Sequence, residues 1–84
     1  MARIAIIGAG SGFGSVLSID ILSRPPLQDS TIALCDIDEH RLKMTYDFVK
    51  STIEKNKLAA RVEASTDRTE SLTGADFVVT SVSV

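Results

Sequence analysis

The 84-residue sequence has little of what marks several large classes of protein. Its single cysteine, Cys35, excludes an internal disulfide and cannot form a metal site alone. No apolar stretch reaches the roughly 18 residues needed to span a membrane. The net charge of −2 offers no basic surface, so a nucleic-acid partner is not expected. An apolar segment begins almost at once, without a charged and then apolar leader, which favours a cytoplasmic protein.

The content of hydrophobic and charged residues is that of an ordinary globular protein, at 44% and 24%. A chain of this length buries only about 60–65% of its unfolded surface, so it forms one small domain or part of one. No internal repeat or low-complexity segment divides it.

The most informative stretch runs from Arg3 to Gly14 and reads R-I-A-I-I-G-A-G-S-G-F-G. The apolar run Ile4–Ile7 predicts a β-strand that is covered on both faces. Gly8 allows a sharp turn after the strand, and Gly10 has no side chain to keep backbone N–H groups away from a pyrophosphate. The helix that follows points its N-terminus, with a partial positive charge, at the same place. The pattern is typical of the dinucleotide-binding turn of a Rossmann unit.

The match to the fingerprint G-x-G-x-x-G is imperfect at its third glycine. That position holds Phe13, between Gly12 and Gly14. The third glycine normally allows close packing of helix against strand, so a phenyl ring there predicts a wider helix approach or a different route into the helix. A tight turn without a ligand is the alternative interpretation.

A second apolar run, Thr31–Cys35, predicts the next strand, and Asp36 follows it. The fingerprint places an acidic residue about 20 positions past the glycines, where it accepts hydrogen bonds from the adenosine ribose hydroxyls. A carboxylate there would repel a 2′-phosphate, which favours NAD over NADP. Alternatively, Asp36 only starts a turn and Asp38 caps the next helix. Both interpretations can hold together.

Two long helices are predicted, from about Ser11 or Gly12 to Ser23 and from the cap Asp38 to about Lys55. The first helix is expected to bury Phe13, Leu17 and Ile21, with Val16, Ile19 and Leu22 widening that face. The second is expected to end at Asn56 in a left-handed conformation.

The remaining segments complete a parallel sheet with the strand order 3-2-1-4. Arg61–Ser65 alternates polar and apolar residues, so this third strand is expected at the rim. Asp67 and Glu70 form a capping-box pattern for a short helix that Gly74 ends. Phe77–Val84 is expected to be a fourth, apolar strand with a free edge. We therefore expect residues 1–84 to be the N-terminal dinucleotide-binding segment of a larger α/β, Rossmann-like domain.

Three segments resemble the NAD-dependent family 4 glycoside hydrolases, a family of α-glucosidases, α-galactosidases, α-glucuronidases and 6-phospho-glucosidases. They are Ile6–Phe13, Ala33–Leu42 with its D-I-D-E-x-R-L run, and Gly74–Val79. Ser11 and the missing third glycine also fit this family better than the malate and lactate dehydrogenases. The fingerprint and the resemblance together place the cofactor-binding residues at Gly8, Gly10, Ser11, Gly12, Phe13, Asp36, Ile37 and Ser83.

The resemblance implies glycoside hydrolysis that begins with hydride transfer from C3 of the sugar to NAD⁺. Loss of the C2 proton, elimination of the glycosidic bond, addition of water and return of the hydride follow. It also implies a divalent metal, usually manganese, bound by residues beyond this chain, a small-molecule glycoside as substrate, and a homo-oligomer when full length. No catalytic residue is expected within residues 1–84.

The sequence context of three reactive side chains predicts structural or surface positions for them and no catalytic role. Cys35 is expected to be a small buried hydrophobe, His40 a solvated surface residue and Tyr46 part of the core. Two alternatives to the glycosidase stay open, namely a dehydrogenase of the malate or lactate type and a non-catalytic NAD-sensing module.

Overall fold

A computed structural model describes residues 2–10 and 12–80 of the chain. Within these residues, four strands form one parallel sheet in the order β3-β2-β1-β4. The strands are β1 (Arg3–Ile7), β2 (Thr31–Cys35), β3 (Arg61–Ser65) and β4 (Phe77–Thr80). The helices are α1 (Gly12–Leu22), α2 (Glu39–Lys55) and α3 (Arg68–Leu72), with a short 3₁₀ turn over Pro25–Leu27 after α1. The predicted α/β, Rossmann-like fold and its strand order are confirmed.

The main core lies between the sheet and the two long helices. Ile4 and Ile6 of β1 are in register with Ile32 and Leu34 of β2, so all four side chains share one face. That face packs against buried residues of the helices, namely Ile21 and Leu22 of α1 and Leu42, Val49 and Ile53 of α2. The apolar runs of the sequence therefore form the interior strands of the sheet.

The opposite face of the sheet carries much smaller side chains. Alternation along β1 and β2 directs Ala5, Ala33 and Cys35 away from the main core, toward the side that α3 covers. Arg3 crosses this face, and its Nη1 donates to Glu63 Oε2 at 2.8 Å. Because α3 is only five residues long, it covers this face over a shorter length than α1 and α2 cover the other.

Helix α1 buries only part of the face that its sequence predicts: Ile21 and Leu22 are buried and Leu17 packs against the core, but Phe13 and Val16 are exposed. Its buried residues are Gly14, Ser18, Ile21 and Leu22, whereas Phe13 is 48% exposed and Val16 is 68% exposed. Apolar residues occur on nearly every side of this helix, so their spacing did not define its orientation. Close contact at Gly14, described below, does.

The helix ends show two further differences from the sequence predictions. The left-handed residue after α2 is Lys57, with φ of 51°, and not Asn56, whose φ is −96°. Asp67 caps α3 as expected, accepting from the Thr69 N–H at 2.8 Å. The capping box does not close through Glu70, because the Ser65 hydroxyl lies between the partners: it donates to Glu70 Oε2 at 2.6 Å and accepts from the Asp67 N–H at 2.9 Å.

The two edges of the sheet differ in character. Strand β3 lies at the rim, as predicted, and exposes Arg61 and Glu63. Strand β4 exposes two large apolar side chains, with Phe77 60% and Val78 52% exposed. The predicted continuation of β4 to Val84 lies outside the described residues. Charged side chains discourage pairing at a sheet edge and apolar ones promote it, so β4 is the edge that invites association.

We expect the 84-residue chain, produced alone, to self-associate through β4. Replacing Val78 by lysine should shift it toward the monomer, because a charge on an edge strand opposes edge-to-edge pairing. Sedimentation velocity over a range of concentrations measures this. Lysine in place of the exposed Ala64, on β3, is the matched control and should leave association unchanged. A single monomeric species at every concentration would contradict the prediction.

Candidate functional site

The glycine turn after β1 folds over the end of β2. The N–H groups of Gly8 and Ala9 both donate to the Cys35 carbonyl, at 2.8 and 3.0 Å. Gly8 has a φ of 81°, a left-handed conformation that glycine adopts without steric cost. The turn is thereby fixed at the carboxyl ends of two adjacent parallel strands, which is where open α/β sheets bind their ligands.

Gly14 brings helix α1 into contact with this turn. A Cβ atom at Gly14 would lie 2.1 Å from the Ala9 carbonyl oxygen and 2.8 Å from Ala9 Cα. The close packing expected of the third fingerprint glycine is therefore provided one position later than the motif requires. The sequence pattern left open a wider approach or a different route into the helix. The structure shows a close helix approach at Gly14, with Phe13 half-exposed to solvent.

Helix α2 is tied to the same turn. The buried Thr45 hydroxyl donates to the Ala9 carbonyl oxygen at 3.1 Å. The Ala9 carbonyl is therefore packed against α1 and hydrogen-bonded to α2. A single peptide group of the turn thus contacts both helices that cover the main face of the sheet.

Asp36 links the end of β2 to the glycine turn. Its Oδ2 accepts from the Gly10 N–H at 2.8 Å, and its Oδ1 accepts from the Asp38 N–H at 2.9 Å. These two bonds fix the plane of the half-buried carboxylate, and each oxygen keeps lone pairs for further donors. Asp38 caps α2 as predicted, accepting from the Arg41 N–H at 3.1 Å. Asp36 therefore binds the glycine turn, whereas Asp38 caps helix α2.

Gly10 has a role that its motif position did not reveal. A Cβ atom there would lie 2.7 Å from Asp36 Oδ2 and 2.9 Å from Arg41 Cβ, so the absent side chain lets Asp36 and the start of α2 approach the turn. Since the Gly10 N–H already binds Asp36, the donors that the described part of the turn leaves for an anion are those of the first turn of α1. Such groups have no acceptor within their own helix. A Cβ atom at Gly12 would meet no atom within 4 Å.

A cleft of about 520 Å³ opens at the carboxyl ends of β1, β2 and β3. We call it the strand-end cleft; it is lined by Ile7, Gly8, Cys35, Asp36, Ile37, Thr66 and Arg68. Ile37 is 91% exposed, which is unusual for a large apolar side chain. The cleft thus combines an oriented carboxylate, an apolar surface and a cation.

The structure brings part of the predicted site together. Gly8, Asp36 and Ile37 share the strand-end cleft, whereas Gly10 and Gly12 line a neighbouring groove of about 550 Å³ between α1 and α2. Phe13 lies on the exposed side of α1, and Ser11 and Ser83 lie outside the described residues. Contact of any of these eight residues with NAD stays a prediction.

Thr66 and Arg68 line the cleft but were not among the predicted site residues. They follow β3 just as Asp36 and Ile37 follow β2, and both pairs stand at the carboxyl edge of the sheet. The strand order by itself could have indicated them.

The structure places three other reactive side chains where the sequence predicts them. Cys35 is buried, as predicted, His40 is exposed, and Tyr46 packs against the core. Residues 2–10 and 12–80 contain no group of three histidine, cysteine or acidic side chains that could hold a metal ion. Within the same residues, no helix is long and apolar enough to cross a membrane.

Fold and site together define the class of this chain. It is a parallel β-α-β unit in which a glycine turn follows the first strand and an aspartate after the second strand binds that turn. This is the arrangement of one half of a Rossmann-like domain.

Comparison with known proteins identifies the family. A sequence model described as family 4 glycosyl hydrolase matches residues 3–84. An alpha-galactosidase of Rhizobium meliloti (strain 1021) is 47% identical over 83 residues, and an alpha-glucosidase of Erwinia rhapontici is 39% identical over 83 residues. Each alignment covers 98% of this chain but only 17% and 18% of the respective relative. The chain belongs to family 4 of the glycosyl hydrolases, and it spans less than a fifth of the length of these relatives.

Proposed function

We propose that the complete protein is an NAD-dependent and divalent-metal-dependent glycosidase, and that this chain is its NAD-binding segment. The observation that carries the proposal is the Asp36 carboxylate, which is held between the N–H groups of Gly10 and Asp38 beside the glycine turn. Because Asp36 occupies this position in a family 4 chain, we interpret it as a cofactor-binding residue and not only as a residue that stabilises the turn.

The residues present fit a dinucleotide. Asp36 would accept hydrogen bonds from the adenosine ribose hydroxyls, and the exposed Ile37 beside it would contact the base. The first turn of α1, which begins at Gly12, would bind the pyrophosphate through its N–H groups, with Gly8 and Gly10 keeping the approach open. When bound, NAD supplies reversible hydride exchange with the sugar. This chain's own residues bind and orient the cofactor and contribute no acid or base to the reaction.

The described residues do not fit the metal, because they contain no suitable group of ligands. In our proposal the metal, usually manganese in enzymes of this kind, is bound elsewhere in the complete protein. The substrate class is a small-molecule glycoside, since the relatives are named as an alpha-galactosidase and an alpha-glucosidase. The proposal also includes the cytoplasmic location and homo-oligomeric state expected from the sequence.

The proposal is tested by hydrolysis of nitrophenyl α-galactoside and α-glucoside. The complete protein is first freed of nucleotide and metal, and then assayed with NAD⁺, Mn²⁺, both or neither. We expect hydrolysis only when both are present. Hydrolysis without NAD⁺ or without a metal would contradict the mechanism. Oxidation of malate or lactate with NAD⁺, without glycoside hydrolysis, would favour the dehydrogenase alternative.

We expect the complete protein to bind NAD far more tightly than NADP, because a 2′-phosphate would meet the Asp36 carboxylate. Asp36→Ala should weaken NAD binding about tenfold, the value of one hydrogen bond to a charged group at the low end of its range, and should relax the discrimination. Titration calorimetry with both nucleotides measures this. Asp38→Ala is the matched control: it removes a helix cap two residues away and should leave the preference for NAD unchanged. Equal binding of the two nucleotides by the unmutated protein would refute the ribose assignment.

A further inference from the structure

The strand-end cleft has a second wall that no part of the fingerprint describes. Asp36 and Ile37, after β2, form one side, and Thr66 and Arg68, after β3, form the other. Arg68 is the first residue of α3 and is exposed. Among the described residues, no hydrogen bond or ion pair occupies its guanidinium group, unlike those of Arg3, Arg24 and Arg41.

The backbone that carries Arg68 is held firmly in place. Asp67 accepts from the Thr69 N–H at 2.8 Å, and its own N–H donates to the Ser65 hydroxyl at 2.9 Å. The Ser65 hydroxyl in turn donates to Glu70 Oε2 at 2.6 Å. The two carboxylates nearest to Arg68 in sequence are thus engaged in local hydrogen bonds. Arg68 itself lines the cleft.

The chemistry of the two walls matches a planar, aromatic ligand. Ile37 is 91% exposed and presents an apolar surface beside the oriented Asp36 carboxylate. A guanidinium is planar, weakly hydrated and stacks on aromatic faces. A purine attached to a ribose on Asp36 would enter the space between these two side chains, and the volume of about 520 Å³ accommodates a nucleoside.

We propose that Arg68 is a specificity-determining residue that stacks its guanidinium on the adenine base of NAD, opposite Ile37. The inference rests on the proposed NAD-binding function and adds to it the side chain that selects the adenine half of the cofactor. It also explains why Arg68 lines the same cleft as Asp36, whose carboxylate disfavours a 2′-phosphate. The guanidinium binds the adenine base and not a phosphate.

The test compares three probes on the complete protein by titration calorimetry, namely NAD, ADP-ribose and nicotinamide mononucleotide, and also measures NADP binding by Arg68→Ala and by the unmutated protein. Arg68→Ala should weaken NAD and ADP-ribose about five- to thirtyfold, the range from an exposed to a desolvated cation–π contact, and leave the mononucleotide unchanged. Arg68→Lys keeps the charge but not the plane, so it should recover only part of the affinity. Arg61→Ala, at the opposite end of β3, is the matched control and should bind all three probes normally.

Three outcomes would overturn the inference. Binding of ADP-ribose by Arg68→Ala within twofold of the unmutated protein would remove the adenine contact. Equal weakening of the mononucleotide would show a general structural effect. Loss of NADP binding with NAD binding unchanged would make Arg68 a partner of the 2′-phosphate. Failure of the unmutated protein to bind NAD would instead refute the proposed function, which distinguishes the two failures.

Discussion

An alanine at position 14 should destabilise the protein by about 3 kcal/mol or more, at the upper end of what overpacking costs. The added Cβ would lie 2.1 Å from the Ala9 carbonyl oxygen, and the atoms in its way belong to the backbone, which cannot rotate aside. Helix α1 would have to move away from the turn. That movement would also disturb the Ala9 carbonyl, which accepts a hydrogen bond from the Thr45 hydroxyl of α2.

Gly12→Ala is the matched control for this prediction. It adds the same methyl group one half-turn earlier in α1, where no atom lies within 4 Å. Because alanine also favours a helix over glycine, by up to about 1 kcal/mol, the control should be neutral or slightly stabilising. Urea denaturation of both variants measures the difference. A cost below about 1 kcal/mol for Gly14→Ala would show that α1 is not held against Ala9.

The parts of the fold that depend on long apolar runs could be predicted from the sequence. Ile4–Ile7 and residues 32–35 are apolar on successive residues, as an interior parallel strand requires, and Arg61–Ser65 alternates as a rim strand does. Asp36 could be predicted because its distance from the glycines is set by the length of one helix and one strand.

What could not be predicted depends on single contacts. The fingerprint counts positions, so it assigned the close helix contact to position 13, whereas the steric requirement falls on Gly14. The Ser65 hydroxyl replaced the expected closure of the capping box because β3 ends beside the start of α3. Arg68 was missed because no motif includes it, and only the strand order places it across from Ile37. The contacts of Ser11 and Ser83 stay predictions.

A valine at position 10 should abolish NAD binding, with a loss of at least about a hundredfold, while the protein still folds. The groups nearest the new Cβ are the Asp36 carboxylate, at 2.7 Å, and Arg41 Cβ, at 2.9 Å. The carboxylate is the end of a short side chain and can turn away, whereas Arg41 Cβ is fixed to the backbone, so the start of α2 must shift locally while the rest of the fold survives. In turning, it loses the Gly10 N–H that orients it, and the valine also fills the approach to the first turn of α1.

These two effects on binding are separable, because the first requires Asp36 and the second does not. Gly10→Val is therefore compared with Asp36→Ala and with the double variant, by titration of NAD and by thermal unfolding. If the valine occupies the space of the pyrophosphate, it should remain damaging when Asp36 is already alanine, well beyond the tenfold loss expected from Asp36→Ala alone. If the double variant binds NAD as well as Asp36→Ala does, Gly10 only positions the carboxylate. NAD binding by Gly10→Val within threefold of the unmutated protein, a difference below about 1 kcal/mol, would exclude both roles.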